Sequence, residues 1–294
     1  MNNFDMQTIC LISPAKINLF LHITGKRADG YHDLQSVFRA INFGDELSFM
    51  LCDGNELLQL HGANHLTDTL NDNLIAKAVY TLAKHYPNHA KSVRITLKKH
   101  IPTGAGLGGG SSNCASTLIA INLLWQLNLS TQQLIGIAAT LGADVPFFIF
   151  AHTHRSDAIA TGIGERLSSI DLPKRHYLLL MPNAHLATAH FFRHPNLKKN
   201  THLIHDLQQQ YAAFDAKLTP PFHNCFEHIA STDSPPVKIA LNYLDALPST
   251  STPRMTGTGS AVFLPLADDD LVHAERWRDS APCRAVICSS LYGS

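Results

Sequence analysis

Five glycines fall within seven residues, from Gly104 to Gly110, inside the run Pro102-Thr-Gly-Ala-Gly-Leu-Gly-Gly-Gly-Ser-Ser112. Glycine has no Cβ, so the backbone N–H groups of such a run can close on a bulky anion that ordinary side chains would hold away. Ser111 opens an Ala/Leu/Ile-rich stretch that reads as a helix to Leu127, whose free N–H groups and dipole would point into the loop. The chemistry expected of Gly104, Ala105, Gly106, Leu107, Gly108, Gly109, Gly110, Ser111 and Ser112 is therefore phosphate binding. A flexible hinge also uses glycine, but it needs no helix start behind it.

The surrounding residues say which kind of cradle this is. Gly104-x-Gly106-x-x-Gly109 has the spacing of a dinucleotide fingerprint, which wants an acid about 20 residues on to hold a ribose. Between Asp72 and Asp144 there is no Asp or Glu. No Lys-Ser/Thr closes the glycine run as in a Walker loop, and the HRD and DFG signatures of protein kinases are absent. Lys77, Lys84, Lys91, Arg94, Lys98 and Lys99 instead make a positive field suited to a triphosphate. The first acid beyond is Asp144, in Gly142-Ala-Asp-Val-Pro146, ahead of an apolar run expected to be a strand, Phe147 to Phe150. A carboxylate beside a phosphate site can orient or accept the proton of an attacking hydroxyl. By spacing alone it could equally be a cap or turn residue. Lys16, in Pro14-Ala-Lys-Ile-Asn18, heads a strand, where a solvated edge charge is the ordinary reading.

The elements that must hold these residues follow from periodicity. Ile17, Leu19, Leu21 and Ile23 alternate with Asn18, Phe20 and His22 as a strand ending at Gly25. Arg27 to His32 is a turn with an Asp-Gly signal and the aromatic pair Tyr31-His32 behind it. Apolar runs at Val37–Ile41 and Glu46–Leu51 read as further strands. Leu74 to Tyr86 is an amphipathic helix, Val93 to Leu97 a strand, and Thr131 to Leu141 a helix stopped by Gly142. Beyond Phe150 come a strand near His176–Met181, three short helices and a second glycine loop, Thr256-Gly257-Thr258-Gly259-Ser260, before a strand at Ala261–Leu264. The domain boundary falls near residue 153, giving domains at 1–153 and 154–294. A final strand at 284–288 is expected to return to the first.

With 294 residues, 45% hydrophobic and 16% charged, the chain can bury two modest cores. Lys+Arg and Asp+Glu balance at 23 each, which argues against a nucleic-acid or membrane-surface partner. The six cysteines form no CxxC pair, and Met1 to Ile12 has no signal-peptide pattern, so a cytoplasmic location is expected. His152-x-His154 lacks any HExxH context, and the histidines read as surface groups.

The motifs Pro14-Ala-Lys16-Ile-Asn18-Leu, Pro102 to Ser112, Gly142-Ala-Asp144-Val-Pro and Thr256 to Ser260 occur in the order of the GHMP kinase superfamily, which the chain resembles from about residue 10 to about residue 290. Thr24-Gly-Lys-Arg27, Asp29-Gly-Tyr-His32-Asp-Leu-Gln35, Asn73-Leu, Thr161-Gly-Ile-Gly-Glu165, Asn224-x-Phe-Glu227 and Met255-Thr-Gly-Thr-Gly259 are similar to one branch of it. The acceptor of that branch is a methylerythritol unit carrying a cytidine diphosphate, phosphorylated on its 2-hydroxyl in the non-mevalonate route to isoprenoid precursors. The resemblance implies an α/β (α+β) two-domain GHMP kinase fold, with a ribosomal-protein-S5-like N-terminal domain and a ferredoxin-like C-terminal domain. It implies ATP as donor with Mg²⁺, a small-molecule substrate, and Lys16 and Asp144 as the catalytic pair. It further implies that Asn73 and Lys99 lie near the adenosine and that Pro102 and Gly104 to Ser112 take the phosphates. Tyr31, His32 and Phe192 would hold the cytosine, Asn18 and Thr188 the erythritol, and Gly257, Thr258 and Gly259 the substrate diphosphate. Cys225 departs from the pattern, standing where an Asp is common, and is read as structural. Two rivals stay open: a homoserine- or mevalonate-type kinase, and an inactive ligand-binding relative. Tyr31-His32 weighs against the first, and intact Lys16 and Asp144 against the second.

Overall fold

A computed structural model describes residues 8–63, 66–186 and 188–293, with side chains for all of these except 188–190. Two compact units emerge. One gathers Gly44–Thr103, Gly108–Thr153 and the residues ahead of Lys16; the other gathers Lys16–Phe43, Gly104–Leu107 and the chain from His154 onward.

In the first unit, the second half of β2 (His32–Leu51) pairs antiparallel with β4 (Val93–Lys98), and β3 (Leu58–His61) runs parallel to β4. The two runs expected as separate strands, Val37–Ile41 and Glu46–Leu51, are one strand. Gly44, between them, lets the start of β1 (Thr8–Lys26) come close, since a Cβ there would stand 2.6 Å from the Ser13 carbonyl. α1 (Leu74–His85) buries Ile75, Ala78, Val79 and Leu82, the face its spacing selects. α2 (Gly109–Leu124) is buried nearly all round and begins two residues earlier than its sequence suggests. α3 (Thr131–Leu141) starts on a Ser130/Gln133 capping box, where each side chain takes a backbone N–H of the other.

The apolar run after Asp144 is not a strand. It is the helix α4 (Val145–His154), with every residue from Val145 to Ala151 buried. A helix buried on all sides has no polar stripe, so its sequence is indistinguishable from a central strand by periodicity. Pro146 decides the matter, since proline suits a first helical turn and interrupts a sheet ladder.

In the second unit, Leu34–Phe38 of β2 pairs with β5 (Asp157–Gly162), which pairs with β6 (Arg166–Ile170). A separate antiparallel sheet has the order β10-β7-β9-β8, from β7 (His176–Met181), β8 (Arg254–Met255), β9 (Val262–Leu266) and β10 (Arg284–Ser289). The strand near 284–288, expected to return to the N-terminal part, therefore pairs with β7. Its ends nonetheless reach back: the Arg284 guanidinium lies 5.7 Å from the centre of the Phe43 ring, Ser289 N–H donates to Asn42 Oδ1 (2.8 Å), and Leu291 N–H donates to the Ala40 carbonyl (2.8 Å). Leu178, Leu180, Val262 and Leu264 pack with Phe191 of α5 (Thr188–Arg193), Ile229 of α6 (Glu227–Asp233), Val237 of α7 (Pro235–Asp245) and Trp277 of α8 (Asp268–Asp279).

Candidate active site

The glycine-rich loop leads straight into α2. Gly104, Gly106 and Gly108 have φ of 74°, 75° and 68°, a region costly for residues with a Cβ. Gly108 is the N-cap of α2, where no side chain caps the first turn and no acid lies in it, so its N–H groups and dipole favour an anion.

The loop's near end is anchored by a buried carboxylate. Asp45 Oδ1 accepts from His100 N–H (2.7 Å) and Ile101 N–H (2.8 Å), while Oδ2 accepts from Asn113 Nδ2 (2.9 Å) and from the Lys99 ammonium. Asn113 Oδ1 also accepts from Lys99 (3.3 Å), and its amide donates to Ser13 Oγ (3.1 Å), which donates to Ser112 Oγ (2.8 Å). A Cβ on Gly109 would stand 2.9 Å from Lys99 Nζ. The Lys99 charge thus lies at the first turn of α2, paired with Asp45. Asn73 caps α1, its Oδ1 accepting from Ile75 N–H (2.9 Å). Asp144 is half-buried two residues past Gly142, whose Cβ position lies 4.0 Å from Ser111 Oγ, so the Asp144 loop runs beside the start of α2.

Lys16 and the second glycine loop meet in the other unit, together with Gly104 to Leu107. Lys16 N–H donates to the Leu107 carbonyl (3.0 Å), and Ala261 N–H donates to the Ala105 carbonyl (3.0 Å). Side chains are excluded where the loops cross: a Cβ on Gly106 would stand 2.4 Å from the Thr256 carbonyl, and one on Gly257 3.0 Å from the Gly106 carbonyl. Lys16 is 3% exposed, donates to Asn18 Oδ1 (2.6 Å) and lies 4.7 Å from the centre of the Phe38 ring, a cation–π arrangement. Asn18 N–H donates to Thr256 Oγ1 (3.0 Å), so the strand head and the glycine loop share one polar cluster. Both faces of β1 are buried here, whereas its alternation suggested a single buried face.

Of the three rings expected around a base, two are together. Phe192 and His32 stack at 4.9 Å and 23°, and Phe192 meets Phe226 edge-on at 5.2 Å. Tyr31 is 61% exposed at the β1–β2 turn, its N–H on Asp29 Oδ1 (3.0 Å). His32 Nε2 is buried and has no hydrogen-bond partner among the described residues. Burial holds this imidazole below the usual histidine range, with Lys199 and Lys26 acting in the same direction, so the ring is neutral at pH 7. Thr188 opens α5, with its side chain outside the described residues.

Three supporting residues carry no chemical signal of their own type in the sequence. Asp45 follows Gly44 in a long strand and looks like any edge acid. Asn224 and Glu227 stand out only as part of a motif, yet they hold the second glycine loop. Asn224 Nδ2 donates to the Met255 (2.8 Å) and Gly257 (2.9 Å) carbonyls, and Glu227 Oε2 accepts from Met255 N–H (2.6 Å). Cys225 packs against the core of the second sheet, where burial pushes its thiol up, and its N–H donates to the Leu21 carbonyl (2.9 Å).

The family described as GHMP kinases N terminal domain matches residues 73–152, the stretch that contains α1, the cradle and Asp144. A mevalonate kinase crystal structure, 14% identical, superposes over 96% of this chain and 99% of its own with a TM-score of 0.68, which extends the fold likeness to the whole chain. Fold and cradle thus define a GHMP-type, ATP-dependent kinase. Relatives narrow the class. A 4-diphosphocytidyl-2-C-methyl-D-erythritol kinase of Psychrobacter arcticus is 46% identical over 96% of this chain and 97% of its own, and one of Acinetobacter baumannii is 39% identical over 95% and 94%. A crystal structure of 4-(cytidine 5'-diphospho)-2C-methyl-D-erythritol kinase, 30% identical, aligns over 96% of this chain and 98% of its own at a TM-score of 0.79. The chain belongs to the 4-diphosphocytidyl-2-C-methyl-D-erythritol kinase family.

Proposed function

We propose that the protein transfers the γ-phosphoryl group of ATP to the 2-hydroxyl of 4-diphosphocytidyl-2-C-methyl-D-erythritol, giving the 2-phosphate and ADP. The observation that carries the phosphoryl chemistry is the uncapped, acid-free start of α2 behind three left-handed glycines. The choice of acceptor rests on relatives 39–46% identical along nearly the whole chain. In this reading the N–H groups of Gly104 to Ser112, with Pro102 shaping the entry, take the phosphates of ATP. Asn73 and Lys99 flank the nucleotide, Lys99 bringing its charge to the first turn of α2. Asp144 orients the acceptor hydroxyl or takes its proton, and Lys16 offsets the charge that develops on the transferred group.

The acceptor's base goes to Tyr31, His32 and Phe192. A neutral imidazole with an unpartnered buried Nε2 can hydrogen-bond a pyrimidine edge, and the rings supply stacking. Because Phe192 already lies on His32, stacking by Tyr31 requires the exposed turn to fold over. Asn18 and Thr188 are assigned to the erythritol, and Gly257, Thr258 and Gly259 to the diphosphate.

Mg²⁺ would accompany ATP. Among the described residues no group of three or more His, Cys, Asp or Glu could hold a metal. Mg²⁺ is typically bound through substrate phosphates and water with one or two protein oxygens, and the Asp144 carboxylate and the Ser111 hydroxyl, beside the start of α2, are the oxygens proposed here. When bound it would neutralise phosphate charge. No helix of the described residues is long and apolar enough to cross a membrane.

An ADP-release assay across an acceptor panel tests the reading. Turnover with 4-diphosphocytidyl-2-C-methyl-D-erythritol and none with homoserine, mevalonate or galactose is expected. Turnover with a nucleobase-free acceptor alone would overturn the acceptor assignment while leaving the kinase class standing.

A further inference from the structure

The Asn18 side chain joins Lys16 to β2 through a chain of hydrogen bonds whose direction can be worked out. Lys16 Nζ donates to Asn18 Oδ1 (2.6 Å), Asn18 Nδ2 donates to Ser36 Oγ (2.9 Å), and Ser36 Oγ donates to the Phe20 carbonyl (2.6 Å). A serine hydroxyl has one proton. With that proton on a carbonyl, which can only accept, Ser36 must accept from Asn18. An accepting partner selects the NH₂ end of the amide and leaves the oxygen facing the lysine. The two ends of an asparagine amide have nearly the same shape, so packing cannot make this choice and hydrogen bonds must.

A flipped amide would set NH₂ against an ammonium and leave Ser36 facing an oxygen that it cannot serve without abandoning Phe20. It would also reverse the bond from Thr256 Oγ1 to Asn18 Oδ1 (3.2 Å), leaving the Thr256 proton only the longer contact to the Gly106 carbonyl (3.5 Å). Water cannot relieve these losses, because Lys16, Asn18, Ser36 and Thr256 are at most 3% exposed. Ser36 itself is fully buried in β2, and the bond to Phe20 fixes its rotamer.

We infer that Ser36 is a positioning residue for phosphoryl transfer: its hydroxyl orients the Asn18 amide, and the amide oxygen holds the Lys16 ammonium in place. The inference rests on the catalytic role proposed for Lys16. Valine and threonine nearly share a shape but differ in the hydroxyl, so Ser36→Val and Ser36→Thr separate orientation from packing. Ser36→Val should lower kcat by about tenfold or more, the scale of a lost hydrogen bond to a charged group, with KM for ATP within about twofold of wild type. Ser36→Thr should restore kcat to within about threefold of wild type. In an Asn18→Ala background, Ser36→Val should cause no further loss, because the amide it orients is gone.

Equal kcat for the Val and Thr variants, or a Val loss that persists undiminished on Asn18→Ala, would overturn the inference. If branched side chains prevent folding, Ser36→Ala, which adds no bulk, is compared with wild type and replaces Ser36→Val on the Asn18→Ala background, with the same losses expected. Lys16→Ala tells the two layers apart. Full turnover in Lys16→Ala removes the role proposed for Lys16, whereas an inactive Lys16→Ala beside a fully active Ser36→Val removes only that of Ser36.

Discussion

The crossing of the two glycine loops makes Gly106→Ala an informative perturbation. At φ of 75°, alanine meets the left-handed penalty of about 1–2 kcal/mol. Its Cβ would also stand 2.4 Å from the Thr256 carbonyl and 3.0 Å from that of Gly259. Real Cβ contacts do not fall below 3.0 Å, so the loops must part by about 0.6 Å. Both neighbours are backbone, and neither can rotate away. The bond from Ala261 N–H to the Ala105 carbonyl (3.0 Å) is strained by the same movement, for about another 1 kcal/mol. The sum is on the order of 3 kcal/mol of lost stability.

The consequence for activity follows from the next residue. The Leu107 carbonyl holds Lys16 N–H, so a displaced loop carries Lys16 with it. A misplacement of about 1 Å can lower turnover by about a hundredfold, and 0.6 Å should lower it by at least about tenfold. Urea unfolding followed by circular dichroism gives the stability change, and ADP release at a temperature where the variant is fully folded gives kcat. Gly136→Ala is the control. That glycine sits inside α3 with nothing within 4 Å of its Cβ position, and alanine there should raise stability by about 0.5–1 kcal/mol with kcat unchanged. A Gly106→Ala variant that unfolds and turns over like the wild type would refute the crossing as a structural constraint.

Asp144→Asn and Lys16→Ala should each lower kcat by at least about a hundredfold with ATP still bound, and near-wild-type turnover in either would remove its assigned role. Phe192→Ala should raise the acceptor KM about ten- to a hundredfold and leave the ATP KM nearly unchanged, with cytidine diphosphate competing against the acceptor only. Equal weakening of both substrates would place Phe192 in the core rather than the base site. His22 is buried, and burial first, then His223, brings its imidazole down to about 4 from 6.5. The unfolded chain therefore takes up a proton that the folded chain refuses, so stability from neutral His22 is full above pH 6.5 and is lost as pH falls toward 4, by up to about 3 kcal/mol. Urea midpoints of His22→Gln measured through that window should decline less steeply than those of the wild type, and an equal decline would refute the assignment.

The glycine loop's geometry was legible because its physics is local. A glycine-rich run before a helix start calls for left-handed backbone, and the positive φ values at Gly104, Gly106 and Gly108 are what such a run is for. The amphipathic helices were legible for the same reason, since α1 has a single buried stripe. α4 was not, because complete burial erases the periodicity that tells helix from strand. Nor was the pairing of β10 with β7, since an apolar run names its own conformation and not its neighbour.

The supporting residues failed to show for a different reason. Asp45 and Ser36 act by filling hydrogen-bonding needs set by other segments: Asp45 serves His100 and Ile101, and Ser36 serves Phe20 and Asn18. Such a need exists only once the chain has folded, so no spacing rule can encode it. Charge chemistry explains why these supports must nonetheless be specific. A lysine ammonium that is 3% exposed has given up most of its water and must find fixed dipoles instead. Asn18 supplies one through its amide oxygen and Phe38 another through its ring face, and both are held by strands buried on two sides. Loop glycines alone would admit a phosphate anywhere along the run. It is the rigid strand head, tied by Lys16 N–H to Leu107 and by Asn18 N–H to Thr256, that gives the loop one place to stand.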